Sequence, residues 1–389
     1  MSFYEGGGGF AFGAPGFAFG RPSRSASEQL SGPQPPHEKQ VWHDLPQPTG
    51  AAPYRLDLEA VLGHEAVAAI TNAGQLVFHT VGDTGGIDNA WPQQIVAYWM
   101  GKDAAQTFPA FFYHLGDVVY YDGEHVAYYP QFYEPYVHYP APIFAIPGNH
   151  DTDVGLPPNH KSLEPFMANF CDSTPQHSED ARDVERTTMI QPNCFWTLNT
   201  PFATIVGLAT NAPEHGVVKR PQLNWLVGEL KAAPTDRALL VALHHPPLSA
   251  DDHHGASTSM RSMLDGAFHK AKRLPDLVLS GHVHNYQRFA RPMKGGDRLA
   301  YVVAGAGGFP NLHTMANVGG GPPPVPWTDP LSGWTLENYS QEKRHGFLRL
   351  TVTSASIVGV YTTVPRPQES WTDGPVSQID TFTIPIRKP

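Results

Sequence analysis

The sequence predicts an α/β fold in which two β-sheets pack between helical layers. From Gln75 onward, short apolar strand-like runs alternate with helical patterns, and toward the C-terminus β-branched runs follow one another with no helix between them. A chain of 389 residues, 41% hydrophobic and 16% charged, has the composition of a globular protein and can bury a sizeable core.

Residues 1–47 are rich in Gly, Pro and Ser and carry a tandem heptad, Gly9-Phe10-Ala11-Phe12-Gly13-Ala14-Pro15 and Gly16-Phe17-Ala18-Phe19-Gly20-Arg21-Pro22. Such a segment cannot build a core, so a flexible tail is expected, its phenylalanines available to dock on a partner or on the globular body. Residues 48–389 are expected to form one domain. Gln75–Val81 reads as a strand that ends at Gly82-Asp83-Thr84-Gly85, and Trp91–Met100 as an amphipathic helix. Ala110–Leu115 is a strand broken by Gly116-Asp117, and Pro142–Ile146 another, closed by Pro147-Gly148-Asn149-His150-Asp151. The polar stretch from Thr152 to Asn193 is expected to be an insertion at the mouth of the site. Cys194–Asn199 and Phe202–Leu208 form a hairpin pattern around Thr200-Pro201. Pro221 opens a helix with Leu223, Leu226, Val227 and Leu230 at helical spacing. Arg237–Leu243 is a strand ending at His244-His245-Pro246, and Met260, Met263, Leu264, Ala267 and Phe268 mark a helix. Leu277–Leu279 ends at Gly281-His282-Val283-His284, and Leu299–Ala304 precedes Gly305-Ala306-Gly307-Gly308. A Pro/Gly-rich loop over Gly307–Leu336 leads to strands at Phe347–Val352, Ile357–Val364 and Ile379–Ile384.

The formal net charge of −10, with no Lys/Arg cluster, argues against a nucleic-acid partner. No apolar run approaches the ~20 residues of a membrane span. The N-terminus lacks the basic region and apolar core of a secretory signal, so a cytoplasmic location is expected. Cys171 and Cys194 are too few for a thiolate zinc site or a disulfide scaffold, and two reduced thiols are expected.

Five strand ends carry Asp83, Asp117, Asn149, His244, and His282 with His284. Each alone has an ordinary explanation as turn chemistry. Together they occupy the carboxyl ends of strands, where open α/β sheets place their ligands. The two oxygens of one carboxylate can bridge two cations roughly 3.5–4 Å apart, a role open to Asp117, and Tyr120 can add a phenolate. A set of oxygen and nitrogen donors without a thiolate suits iron, manganese or zinc.

Gly82-Asp83-Thr84-Gly85, Gly116-Asp117-Val118-Val119-Tyr120, Gly148-Asn149-His150-Asp151, Val241-Ala242-Leu243-His244 and Gly281-His282-Val283-His284 match, in order, the five motifs of the purple acid phosphatases. The chain resembles that family, a branch of the calcineurin-like metallophosphoesterases, over about Gln75 to Ile384. The resemblance implies a four-layer α/β/β/α sandwich with two mixed β-sheets. It implies a ferric site made by Asp83, Asp117, Tyr120 and His284, and a divalent site for Fe, Zn or Mn made by Asp117, Asn149, His244 and His282. His150 would contact the phosphate and help protonate the leaving group, oriented by Asp151. His253 and His254 fall where plant members carry a histidine pair near the phosphate. Phosphodiesterase-like members commonly begin Asp-x-His. Here Gly85 stands in place of that histidine and Tyr120 takes over as ligand. A phenol of pKa about 10 ionises near neutrality only on a strongly Lewis-acidic ion, which favours ferric iron.

The expected activity is that of an acid phosphatase: hydrolysis of small phosphate monoesters by metal-bound hydroxide, with no covalent enzyme intermediate. The alternatives are a phosphodiesterase or nucleotide hydrolase of the same fold, or a non-catalytic scaffold that uses the Gly/Phe tail. Plant members carry a β-sandwich before the catalytic domain, and the residues before Gln75 are expected to be too few and too glycine-rich to form one. His245 is expected to point into the wall behind the site, and Tyr286 and Arg288 to buttress it.

Overall fold

A computed structural model describes residues 41–152, 162–293 and 295–387. The tandem Gly/Phe heptads lie outside the described residues. Fifteen strands are present: β1 (Arg55–Asp57), β2 (Leu76–Val81), β3 (Phe111–His114), β4 (Ile143–Ala145), β5 (Trp196–Asn199), β6 (Ala203–Gly207), β7 (Ala238–Ala242), β8 (Leu277–Ser280), β9 (Tyr286–Pro292), β10 (Arg298–Ala304), β11 (Trp327–Thr328), β12 (Thr335–Tyr339), β13 (Gly346–Val352), β14 (Ser356–Thr363) and β15 (Ser377–Pro385). They form a nine-stranded sheet, β1-β5-β6-β7-β8-β10-β9-β12-β11, and a six-stranded sheet, β15-β14-β13-β2-β3-β4. Both are mixed: β2, β3 and β4 run parallel, as do β6, β7, β8 and β10, while β13 to β15 and β9 to β12 pair antiparallel.

Apolar patterning dictates four layers. Strands with no polar face, such as LVFHTV in β2 and ALLVA in β7, are buried throughout and must be covered on both sides. The sheets meet through Phe78, Phe111 and Tyr113 of one and Ile205, Leu240 and Leu279 of the other. The outer face of the six-stranded sheet carries the helix Trp91–Gln106 and a tyrosine-rich helical segment including Tyr128, Tyr133 and Tyr136. The outer face of the nine-stranded sheet carries the helices Arg220–Ala232 and Thr258–Ala271, which bury Leu226, Leu230, Leu264 and Phe268.

Four expectations need correction. Trp91–Gln106 is longer than expected and buried on most of its circumference, because the tyrosine-rich segment and Trp371 cover the face that would otherwise meet water. The described part of the Thr152–Asn193 stretch is no insertion at the site mouth. It packs Phe166, Phe170 and Cys171 against the helical layer, and the Gln191 amide bonds both backbone groups of Ala145. The Gly307–Leu336 stretch is not all loop, since it contains β11 and the start of β12, which pair with each other. Within residues 41–47, His43 exchanges two backbone hydrogen bonds of 2.9 Å with the Asn211 amide. Cys171 and Cys194 are free and buried. Among the described residues no helix is long and apolar enough to cross a membrane.

Candidate metal centre

The parallel strands of both sheets end on one edge, so their carboxyl-end loops converge at the seam. Asp83, Asp117 and Asn149 arrive from β2, β3 and β4; His244, His282 and His284 arrive from β7 and β8. Asp83, Asp117 and His282 adopt left-handed backbone, φ +58°, +53° and +66°. Such geometry costs a side-chain-bearing residue about 1–3 kcal/mol and persists where neighbours enforce it. Here the enforcement is hydrogen bonding between loops: the Asp83 N–H donates to Gly116 O at 2.9 Å, and the His282 N–H to the Asp83 side-chain Oδ2 at 2.8 Å.

The structure brings all seven expected ligands together. Asp83 Oδ1 lies 3.4 Å from the Tyr120 hydroxyl, 3.5 Å from His284 Nε2 and 3.9 Å from His244 Nε2. Asp117 Oδ2 lies 3.3 Å from His244 Nε2, and Asn149 Oδ1 lies 3.0 Å from both His244 Nε2 and His282 Nδ1. His244 Nδ1–H donates to Leu115 O at 2.8 Å, and His284 Nδ1–H donates to Asn311 O at 3.0 Å. A ring whose proton is held on Nδ1 presents the Nε2 lone pair inward, the orientation metal-bound imidazoles take.

That tautomer makes the centre a cluster of acceptors. His244 Nε2, Asn149 Oδ1 and Asp117 Oδ2 face one another with no proton between them, which only positive charge can stabilise. In the bare chain a second proton on His244 supplies it: burial opposes that proton, but Asp117 and Asp83 raise the imidazole pKa to about 9. Burial would lift the Asp117 carboxyl, but His244 and His150 outweigh it and hold it below the usual carboxylate range. Burial and the charge of Asp117 push Asp83 up to about 7. Burial drives His284 down to about 3, and burial with the four neighbouring imidazoles of His254, His245, His244 and His284 drives His282 well below its ordinary value. His282 Nε2 is buried without a hydrogen-bond partner. Two buried carboxylates, three imidazoles, an amide oxygen and a phenol fit divalent and trivalent borderline metals, whose charge would replace the second proton of His244. One ligand atom each from Asp117, His244 and His282 lies within 4.8 Å of the others. Burial, Asp117 and Asp83 all raise the Tyr120 phenol well above its ordinary value, so only a strong Lewis acid beside it would ionise it.

A cavity of about 310 Å³ opens onto the ring. His150 lines it, with Nδ1–H donating to Tyr121 O at 2.8 Å, which leaves Nε2 as the exchangeable position. Asp151 does not orient that ring. Its carboxylate turns away and accepts the N–H groups of Val118, Val119 and Gly148 at 2.8–3.2 Å, bracing the loop that carries Asp117. The difference arises because residues 150–152 form one 3₁₀ turn that points neighbouring side chains apart. His253 and His254 stand on the cavity rim, the latter bonded to Glu214. His245 is buried behind His282, its Nδ1 2.7 Å from Thr210 Oγ1. Tyr286 and Arg288 both bond Asp380, at 2.7 Å each, and do buttress the seam. Glu214, Phe309 and His313 also line the cavity and were not among the expected residues. Glu214 follows β6, so the strand-end rule reaches it; His313 sits in a Gly/Pro loop that offers no such signal.

The model of the calcineurin-like phosphoesterase family matches residues 76–286. Purple acid phosphatase 21 of Arabidopsis thaliana is 26% identical over 174 residues, 43% of this chain and 36% of that protein. Purple acid phosphatase 1 of Ipomoea batatas is 28% identical over 163 residues, 41% of this chain and 30% of that protein. The aligned part is thus about a third of the length of these relatives. Among solved structures, GAP50, the anchor in the inner membrane complex of Plasmodium, superposes with a TM-score of 0.54 at 15% identity over 81% of this chain and 90% of its own. PhoD superposes with a TM-score of 0.50 at 12% identity over 81% and 72%. Both likenesses concern the fold.

Proposed function

Because the chain belongs to the calcineurin-like phosphoesterase family, we propose that it hydrolyses phosphate monoesters at a binuclear centre of the purple acid phosphatase type. The observation that carries this reading is the Tyr120 hydroxyl, 3.4 Å from both Asp83 Oδ1 and His284 Nε2, where it would complete a ferric site. Asp83, Asp117, Tyr120 and His284 would hold that ion. Asp117, Asn149, His244 and His282 would hold a divalent partner, Fe, Zn or Mn. Bound cations supply an acidified water and polarise the phosphoryl oxygens.

The chain's own groups do the rest. Leu115 O and Asn311 O fix the His244 and His284 tautomers, so both rings enter as neutral donors. Tyr121 O fixes His150 with Nε2 toward the cavity, where it delivers a proton to the leaving alkoxide. His253 and His254 line the rim past which the outer phosphoryl oxygens would enter. The visible spectrum of the purified protein, taken with metal analysis, tests the assignment: a phenolate-to-iron charge-transfer band is expected, and colourless protein with full iron would refute Tyr120 as ligand.

A second reading, phosphodiester or nucleotide hydrolysis, is favoured by one observation. Among the described residues the cavity lining includes Asp88 and Glu214 but no lysine or arginine, which suits a singly charged diester. Turnover of an aryl monoester against its diester separates the two, and a strong diester preference would overturn the first. A scaffold role, suggested by a fold neighbour described as an anchor, is disfavoured by the complete donor set. A small phosphorylated substrate is the expected partner.

A further inference from the structure

A second group of imidazoles lies at the cavity rim, outside the ring around Asp83 and Asp117. One candidate ligand atom from each of His253, His254 and His313 lies within 4.8 Å of the other two. Their ring centroids stand 4.6, 4.6 and 4.9 Å apart. From this grouping we propose that His253, His254 and His313 form a third cation site that takes a borderline divalent metal such as Zn²⁺.

The grouping is fixed by backbone. The loop after β7 and the loop after β10 are joined by Asp252 N–H to Thr314 O at 3.0 Å and Ala316 N–H to Ala250 O at 2.8 Å. Asp251, between those two bonds, is buried and organises all three histidines. Its Oδ2 accepts the backbone N–H groups of His253 and His254 at 3.2 Å each and lies 3.2 Å from His313 Nδ1; its Oδ1 accepts Gly255 N–H at 2.7 Å. The His284 N–H also approaches His313 Nδ1, at 3.3 Å. A carboxylate, Glu214, therefore stands at Nδ1 of His254, whereas His313 Nδ1 accepts the His284 N–H with Asp251 Oδ2 beside it. On His254 that carboxylate favours the Nδ1–H tautomer and leaves Nε2 as the ligand atom, the support that metal-binding histidines receive in known sites. Three imidazoles and no hard oxygen cluster select zinc-like ions over calcium or magnesium, and three protein ligands leave a position open. The position is useful, because among the described residues the cavity lining holds no lysine or arginine to meet an incoming anion.

The test counts metal and does not depend on the reading of the central ring. The full-length chain is stripped with chelator, titrated with Zn²⁺ against a chromophoric competitor, and its bound zinc measured by plasma emission. A third equivalent is expected in the unmodified protein, and Asp117→Asn should keep that equivalent while losing the central ones. His313→Ala, and separately His253→Ala at an exposed position, should weaken it by more than the about 10–100-fold that loss of an outer partner costs. No zinc beyond what Asp117→Asn removes, or a third equivalent held at undiminished affinity in both histidine variants, overturns the proposal. If Asp117→Asn removes no zinc while the histidine variants do, the central assignment fails and this one stands.

Discussion

Replacing Gly281 by alanine probes the centre through a residue that contributes no donor. A Cβ at this position would stand 2.6 Å from Asp83 Oδ2, 3.1 Å from Leu115 O and 3.3 Å from His244 Nδ1. Carbon contacts settle at about 3.5–4.0 Å, so the Asp83 carboxylate must retreat by roughly an ångström. The same methyl presses on the 2.8 Å bond that fixes His244. Gly281 is not in the left-handed region, so alanine suits its backbone and the damage comes from contact alone. A misplacement of about 1 Å costs on the order of 10²-fold in rate, or roughly 2.7 kcal/mol in the barrier. The assay pairs turnover of an aryl phosphate with metal per chain and a thermal melt. Gly228→Ala, whose Cβ would meet nothing within 4 Å, serves as control. A well-folded Gly281→Ala protein with full metal and unchanged turnover would refute the idea that Asp83 and His244 build the site.

Four further outcomes follow from the geometry. Asp117→Asn should lose metal and turnover together, as metal analysis beside a rate assay would reveal. His150→Ala should keep its metal while turnover falls about 10²–10⁴-fold, with the smaller loss on substrates whose leaving group needs no proton. Asp380→Ala leaves the buried Tyr286 hydroxyl and the Arg288 guanidinium without their shared carboxylate; urea unfolding should register a loss of about 3 kcal/mol, the low end for a broken buried pair, because Arg288 keeps some exposure. At Asp251, burial acts to raise the carboxyl pKa, but His313 and the His254 and Gly255 N–H groups outweigh it and lower it to about 2. A depressed carboxyl stabilises the fold above its unfolded value near 3.9 and ceases to do so as pH falls through about 2. In chelator-treated protein, the stability gap between wild type and Asp251→Asn, roughly 2 kcal/mol at pH 5, should therefore close between pH 4 and pH 2.

Much of the site was legible because its donors sit where apolar runs stop. The runs ending at Asp83, Asp117, Asn149, His244 and His282 are buried strands, and burial writes itself into composition. What the sequence hid was held by pairing. β9, YQRFARP, has no clean alternation and is a strand because β10 and β12 flank it on both sides. β12 and β11 follow a Gly/Pro-rich stretch that reads as loop for the same reason. The mistaken partner for His150 came from adjacency: Asp151 is its neighbour in sequence but not in direction. His313 reaches the cavity only because backbone bonds join its loop to residues 250–252, a long-range fact with no local mark.

The pairing of β2 with β13 sets an order of events during synthesis. Phe78 lies opposite Leu350, so the strand that ends at Asp83 has an open edge until the chain beyond Gly346 has left the ribosome. Until then an apolar β2-β3-β4 ribbon offers unpaired backbone to any strand nearby. A fragment cut after residue 286, where the family match ends, would contain every central donor and still lack β13. Expressed alone, it is expected to aggregate, and co-expression of residues 287–389 should rescue it if the missing edge is the cause.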